Sequence, residues 1–160
     1  MPQKFSQFFW ILLSFMLFTQ NPVTAIDWPQ DSSDLKPDPK IVFGELPNGM
    51  GYLIRPSSEP PNRVSARLVV QAGSLMETPE QLGLAHFLEH MAFNGTRNFE
   101  AGEMVEYFQR LGMAFGADTN ASTGYDRTMY QLELPDDSGK LRRESLQLLR
   151  DYADGILFEP

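Results

Sequence analysis

The two histidines of the chain, His86 and His90, lie four residues apart with Glu89 between them. The spacing predicts a helix. At 3.6 residues per turn the two imidazoles sit about 40° apart around the axis, and Glu89 falls on the same side. With Leu84 placed at zero, Phe87, Leu88 and Met91 lie within about 60° of it, and His86, Glu89 and His90 cluster opposite. The expectation is a helix whose Leu84, Phe87, Leu88 and Met91 pack on a sheet while His86, Glu89 and His90 face a cleft.

That polar face has a definite chemistry. Two neutral imidazoles can hold one Zn²⁺, and a carboxylate beside them can act on a metal-bound water. The plain alternative is a core or surface histidine, which is what a lone histidine usually is. Two at i,i+4 with a glutamate at i+3 favour the metal.

The order of charges along the chain bounds its partners and destination. With 21 acidic against 13 basic residues, the net charge of −8 argues against a nucleic-acid partner. Residues 1–25 have the order of a secretory signal peptide. Lys4 supplies a positive start, Phe8 to Phe18 is apolar apart from Ser14, and Val23-Thr24-Ala25 offers small residues for cleavage before Ile26. That apolar run is too short to span a bilayer comfortably. The expectation is export to the periplasm or beyond, with no stable membrane insertion after cleavage. An uncleaved anchor is the alternative. The absence of cysteine excludes a lipoprotein signal and any disulfide.

Residues 26–40 are polar, carry Pro29, Pro37 and Pro39, and read as a linker. Residues 41–160 hold the elements. Ile41–Leu46 and Met50–Ile54 flank Asn48-Gly49, a hairpin signal. Val64, Ala66, Leu68 and Val70 alternate with Ser65, Arg67 and Gln71, and Thr128, Tyr130, Leu132 and Leu134 with Met129, Gln131 and Glu133, so two half-buried strands are expected. Thr78-Pro79-Glu80-Gln81 has a capping-box pattern where the motif helix can start, and Gly83 makes a later start equally possible. Ala101, Met104, Val105, Phe108 and Leu111 predict a second helix closed by Gly112, and Leu141, Leu148, Leu149 and Tyr152 a third, ended by Gly155 ahead of Ile156. Met113–Asp118 reads as a further strand. Hairpin pairing without regular βαβ alternation makes the class α+β: a mixed, largely antiparallel sheet with helices packed on one face.

Taken together, these motifs resemble those of the pitrilysin/insulinase metallopeptidases, whose zinc motif, HxxEH, inverts the H-E-x-x-H order (inverzincins). The resemblance rests on Leu46-Pro47-Asn48-Gly49, on Gln71-Ala72-Gly73-Ser74 with Glu77, and on Gly83-Leu84-Ala85 leading into His86. It continues in Met91-Ala92-Phe93-Asn94-Gly95-Thr96, in Gly116-Ala117-Asp118-Thr119-Asn120-Ala121-Ser122-Thr123, and in Asp126-Arg127-Thr128-Met129-Tyr130. It covers roughly residues 40 to 160, and with the signal peptide it suggests an exported bacterial member. It implies a zinc endopeptidase acting on extended peptides or small proteins. His86 and His90 would bind zinc, and Glu89 would be the general base. Asn120, Ala121, Ser122 and Thr123 would bind substrate as an edge strand; from composition alone that segment reads as a loop.

One family feature is not found. Its third zinc ligand is a glutamate roughly 75 residues beyond the motif's second histidine, and only 70 residues follow His90. The nearest late acid, Glu159, resembles a linker residue. Residues 41–160 are therefore expected to be the amino-terminal part of a first peptidase domain, inactive alone and dependent on C-terminal domains of the same chain. The alternative is a non-catalytic scaffold or peptide-binding subunit of the same fold. The intact His86, Glu89 and His90 favour the enzyme.

Overall fold

The structure is a computed structural model that describes residues 26–114 and 116–158. The chain divides into two units, residues 1–56 and 57–160. The signal-peptide expectation for residues 1–25, together with Glu159, lies outside the described residues.

In the first unit, β1 (Val42–Glu45) and β2 (Gly51–Ile54) form an antiparallel hairpin with Phe43 opposite Leu53. The Asn48 side chain accepts from the Met50 amide at 3.2 Å, and the Leu46 amide donates to the Met50 carbonyl at 2.8 Å. This is the turn that Asn48-Gly49 encodes. Trp28 packs edge-on against Phe43 with ring centroids 5.1 Å apart. Residues 26–40 hold a single 3-10 turn, Pro29–Asp31.

The second unit is built on a three-stranded antiparallel sheet. Its strands are β3 (Val64–Val70), β4 (Thr119–Thr123) and β5 (Thr128–Leu134), in the order β3-β5-β4. Every second residue of β5, from Thr128 to Leu134, is buried, so the alternation read in the sequence is the inward face of the central strand. Against that face pack α1 (Leu84–Met91) and α3 (Gly139–Asp154), while α2 (Glu103–Arg110) buries Met104 and Phe108 in the same core. Leu132, Leu134 and Leu148 lie at the centre, and Tyr130 stacks on Tyr152 at 4.7 Å. The opposite sheet face is polar apart from Val69 and Met129, with Arg67 paired to Glu133 at 3.1 Å. The class is α+β, with antiparallel pairing and the helices on one face. Among the described residues no helix is long and apolar enough to cross a membrane.

The helix ends follow local chemistry. Ser138 caps α3 by accepting from the Leu141 amide at 3.3 Å. At the end of α2, Gly112 and Met113 donate to Gln109 and Phe108 carbonyls in a Schellman closure. Of the two starts open to the motif helix, the structure takes the later: the Thr78 capping box forms but opens a 3-10 turn, Pro79–Gln81, and α1 starts after Gly83. One expectation is corrected. Met113–Asp118 is not a strand over its described residues, because the Asp118 carboxylate accepts from the Ala114 amide at 2.8 Å and its own amide donates to the Ala114 carbonyl. That local closure competes with a ladder, and the strand begins at Thr119 instead.

Candidate metal centre

The motif helix is held at its start by a side chain from outside it. Gly83 occupies the N-cap with φ +88, a conformation that suits glycine, and has no side chain to cap with. Glu77 replaces that cap. Its two carboxylate oxygens accept from the Gly83 amide at 2.7 Å and the Ala85 amide at 2.8 Å. These bonds, Ala85 first, hold the Glu77 carboxyl below its usual range. Glu77 follows a 3-10 turn, Ser74–Met76, whose Ser74 and Leu75 amides donate to Gly124 and Tyr125 carbonyls at 3.1 and 2.9 Å. Gly73 makes that approach possible, since a Cβ there would lie 2.4 Å from the Gly124 oxygen. The start of α1 is thus tied to the β4–β5 turn.

The loop that follows α1 is tied to α3. Asp151 is fully buried, and its carboxylate accepts from the Thr96 hydroxyl at 2.9 Å, the Asn98 amide at 3.0 Å, the Asn98 side chain at 2.8 and 3.0 Å and the Gln147 side chain at 3.0 Å. Burial pushes its pKa up, but the bonds from Asn98, Thr96 and Gln147 outweigh it and the net shift is downward. Arg97 adds contacts to the Asp154 carbonyl at 2.7 Å and the Asp154 carboxylate at 3.5 Å.

Between these anchors, α1 departs from the expectation that Leu84, Phe87, Leu88 and Met91 pack on the sheet: Met91 is half-buried, but the other three face outward and Glu89 faces in. Leu84, Phe87 and Leu88 are 52, 56 and 38% exposed, and the helix meets β4 and β5 through the side bearing Ala85 and Glu89, followed by buried Ala92. Two small residues let the helix approach the strands, and the Glu89 carboxylate finds a partner there. The Thr123 hydroxyl of β4 donates to Glu89 Oε2. The apolar stripe faces outward as a consequence. Glu89 also acts on the core: burial first, and then the Glu89 charge, push the Tyr130 phenol up to about 12.

His86 and His90 are exposed and turn their rings toward each other, with Nε2 atoms 3.0 Å apart and centroids 4.7 Å apart. The contact suits one imidazole donating to the other. The same separation suits two nitrogens on one zinc: at about 2.05 Å each they would subtend roughly 94° at the metal, against roughly 109° in an ideal tetrahedron. The donor pair therefore fits a zinc ion. Among the described residues neither Nδ1 has a hydrogen-bond partner, and no group of three or more His, Cys, Asp and Glu is arranged to hold a metal.

The four expected substrate residues divide. Ala121 and Thr123 lie on the helix side of the sheet with Thr119, while Asn120 and Ser122 are exposed on the other. β4 is an outer strand, and its Ala121 amide is taken by the Asn120 side chain at 2.9 Å. Neither Glu77 nor Asp151 was singled out as a site residue from sequence. Asp151 carried a usable signal, an acid on the apolar stripe of Leu148 and Tyr152.

Residues 52–160 match the family model described as Insulinase (Peptidase family M16). The chain is 38% identical over 125 residues to the probable zinc protease PqqL of Escherichia coli, covering 78% of this chain and 13% of that relative. It is 33% identical over 127 residues to the chloroplastic stromal processing peptidase of Arabidopsis thaliana, covering 79% of this chain and 9% of that relative. The crystal structure of the first half of the periplasmic protease PqqL from Escherichia coli superposes with a TM-score of 0.74 at 38% identity, over 78% of this chain and 27% of that one. The chain thus spans about an eighth of the length of its Escherichia coli relative.

Proposed function

The chain belongs to the insulinase family, peptidase family M16, and we propose that it supplies the zinc-binding and base-bearing part of an exported endopeptidase. The convergence of the His86 and His90 Nε2 atoms at 3.0 Å, beside a carboxylate set by a β-strand hydroxyl, carries this reading. His86 and His90 hold the zinc ion. When bound, that ion lowers the pKa of water and polarises a carbonyl. Glu89 accepts the proton of the water that adds to the peptide carbonyl and returns it to the leaving amine. β4, from Asn120 to Thr123, offers its backbone to an extended peptide or small-protein segment, with Asn120 releasing the Ala121 amide. No third ligand stands with His86 and His90 among the described residues, and the chain spans about an eighth of the length of its Escherichia coli relative, so this portion is taken to be inactive by itself. A relative described as periplasmic and the order of residues 1–25 support export.

The test uses the full-length protein. Glu89→Gln retains zinc and loses turnover by at least a hundredfold, since an amide cannot take the proton. His90→Ala loses both zinc and activity. Peptide hydrolysis by Glu89→Gln at the wild-type rate would show that the base is misassigned. Full zinc content in His90→Ala would do the same for the ligand.

A further inference from the structure

The contact between Thr123 and Glu89 joins two parts of the site that the proposed reaction uses separately, the substrate strand and the base. Glu89 has three side-chain torsions and sits half-buried on a helix beside exposed histidines. A carboxylate so placed samples several rotamers unless something holds it. Thr123 is suited to hold it. Its β-branched side chain is stiff at χ1. Its backbone is set opposite Thr128 in the ladder, and the Thr128 hydroxyl is itself bonded to the Ala72 carbonyl at 3.0 Å. The hydroxyl reaches Oε2, while Oε1 accepts no hydrogen bond among the described residues. One oxygen is anchored and the other is left for a proton.

We propose that Thr123 is a positioning residue for Glu89: its hydroxyl fixes the carboxylate rotamer, so that the strand offered to substrate also aims the base. The proposal rests on the peptidase reading, and its test separates the two. In the full-length protein, Thr123→Val keeps the shape and removes the hydroxyl, whereas Thr123→Ser keeps the hydroxyl and removes a methyl. A base displaced by about an ångström loses roughly a hundredfold in rate. Thr123→Val is therefore expected to lower kcat by roughly ten- to a hundredfold with KM and zinc content unchanged. Thr123→Ser recovers most of that loss. Crystal structures of the zinc-free proteins give a readout independent of activity. The Glu89 carboxylate stays on residue 123 in the wild type and in Thr123→Ser, and swings away in Thr123→Val.

Three results would overturn the proposal: wild-type kcat in Thr123→Val, an equal fall in both variants, or an unmoved carboxylate in the Thr123→Val crystal. A rise in KM at constant kcat would assign Thr123 to substrate binding alone, and would also overturn it. A zinc-loaded wild type without peptidase activity, or an active Glu89→Gln, sinks the peptidase reading instead. The crystals then still decide whether Thr123 holds the carboxylate.

Discussion

Asp151→Asn is the sharpest probe of how α1 is anchored. Every partner of the buried Asp151 carboxylate is a donor: the Thr96 hydroxyl, the Asn98 amide and side chain, and the Gln147 side chain. An asparagine keeps one acceptor oxygen and turns an NH₂ group toward donors. Replacing Oδ1 removes two of the five bonds and replacing Oδ2 removes three, in a site with no exposure. At about 1.5 kcal/mol for each bond to a charged group, the local loss is about 3 kcal/mol. With one decade per 1.36 kcal/mol, amide exchange in residues 95–98 should accelerate by about two orders of magnitude. Hydrogen–deuterium exchange with peptide or residue resolution reads this directly. The pH dependence has a fixed sign. A carboxyl whose folded pKa is lowered stabilises fully above its unfolded value of about 3.9, and that stabilisation is lost as pH falls through the lower folded value. The mutant and wild type should therefore differ at neutral pH and converge in strong acid. Less than a threefold change at pH 7, or convergence at alkaline pH, would refute the latch.

Glu77→Gln should weaken the cap on α1: exchange at Gly83 and Ala85 quickens, zinc affinity of the full-length protein falls, and acidification of the wild type below the usual glutamate range reproduces the effect, because the folded Glu77 pKa is lowered. Leu132→Ala, at a position with no exposure, should cost about 2–5 kcal/mol in urea unfolding. Phe87→Ala in the same chain, at a residue more than half exposed, should cost about 1 kcal/mol or less, and equal losses would show that the outward stripe is packed after all.

Where a segment's structure is decided by neighbours in sequence, the sequence was legible. Asn48 and Gly49 make their own turn, Ser138 caps the helix it precedes, and Gly112 closes the helix it follows. The alternation from Thr128 to Leu134 is the inner face of β5, because a central strand with helices on one side has no other way to divide its side chains. Asp118 shows where this fails: its side chain closes on the Ala114 amide four residues away, and a stretch read as strand becomes a turn.

The site was legible as a set of residues and not as an orientation. Spacing establishes that His86, Glu89 and His90 share a side of α1, but it does not say which side meets the sheet. Hydrophobicity favours the stripe of Leu84, Phe87 and Leu88. Against it stand two specific contacts made by residues distant in sequence, Thr123 with Glu89 and Glu77 with the Gly83 and Ala85 amides. A half-buried carboxylate without a partner costs more than a partly wet leucine, since burying an unpaired charge is the dearer of the two. The helix therefore turns its acid toward the strand that can satisfy it. The same choice brings Glu89, the proposed base, against β4, the proposed substrate strand, and leaves both imidazoles exposed. A half-buried Glu89 beside two exposed histidines is thus specified by the polar contacts and not by the apolar period.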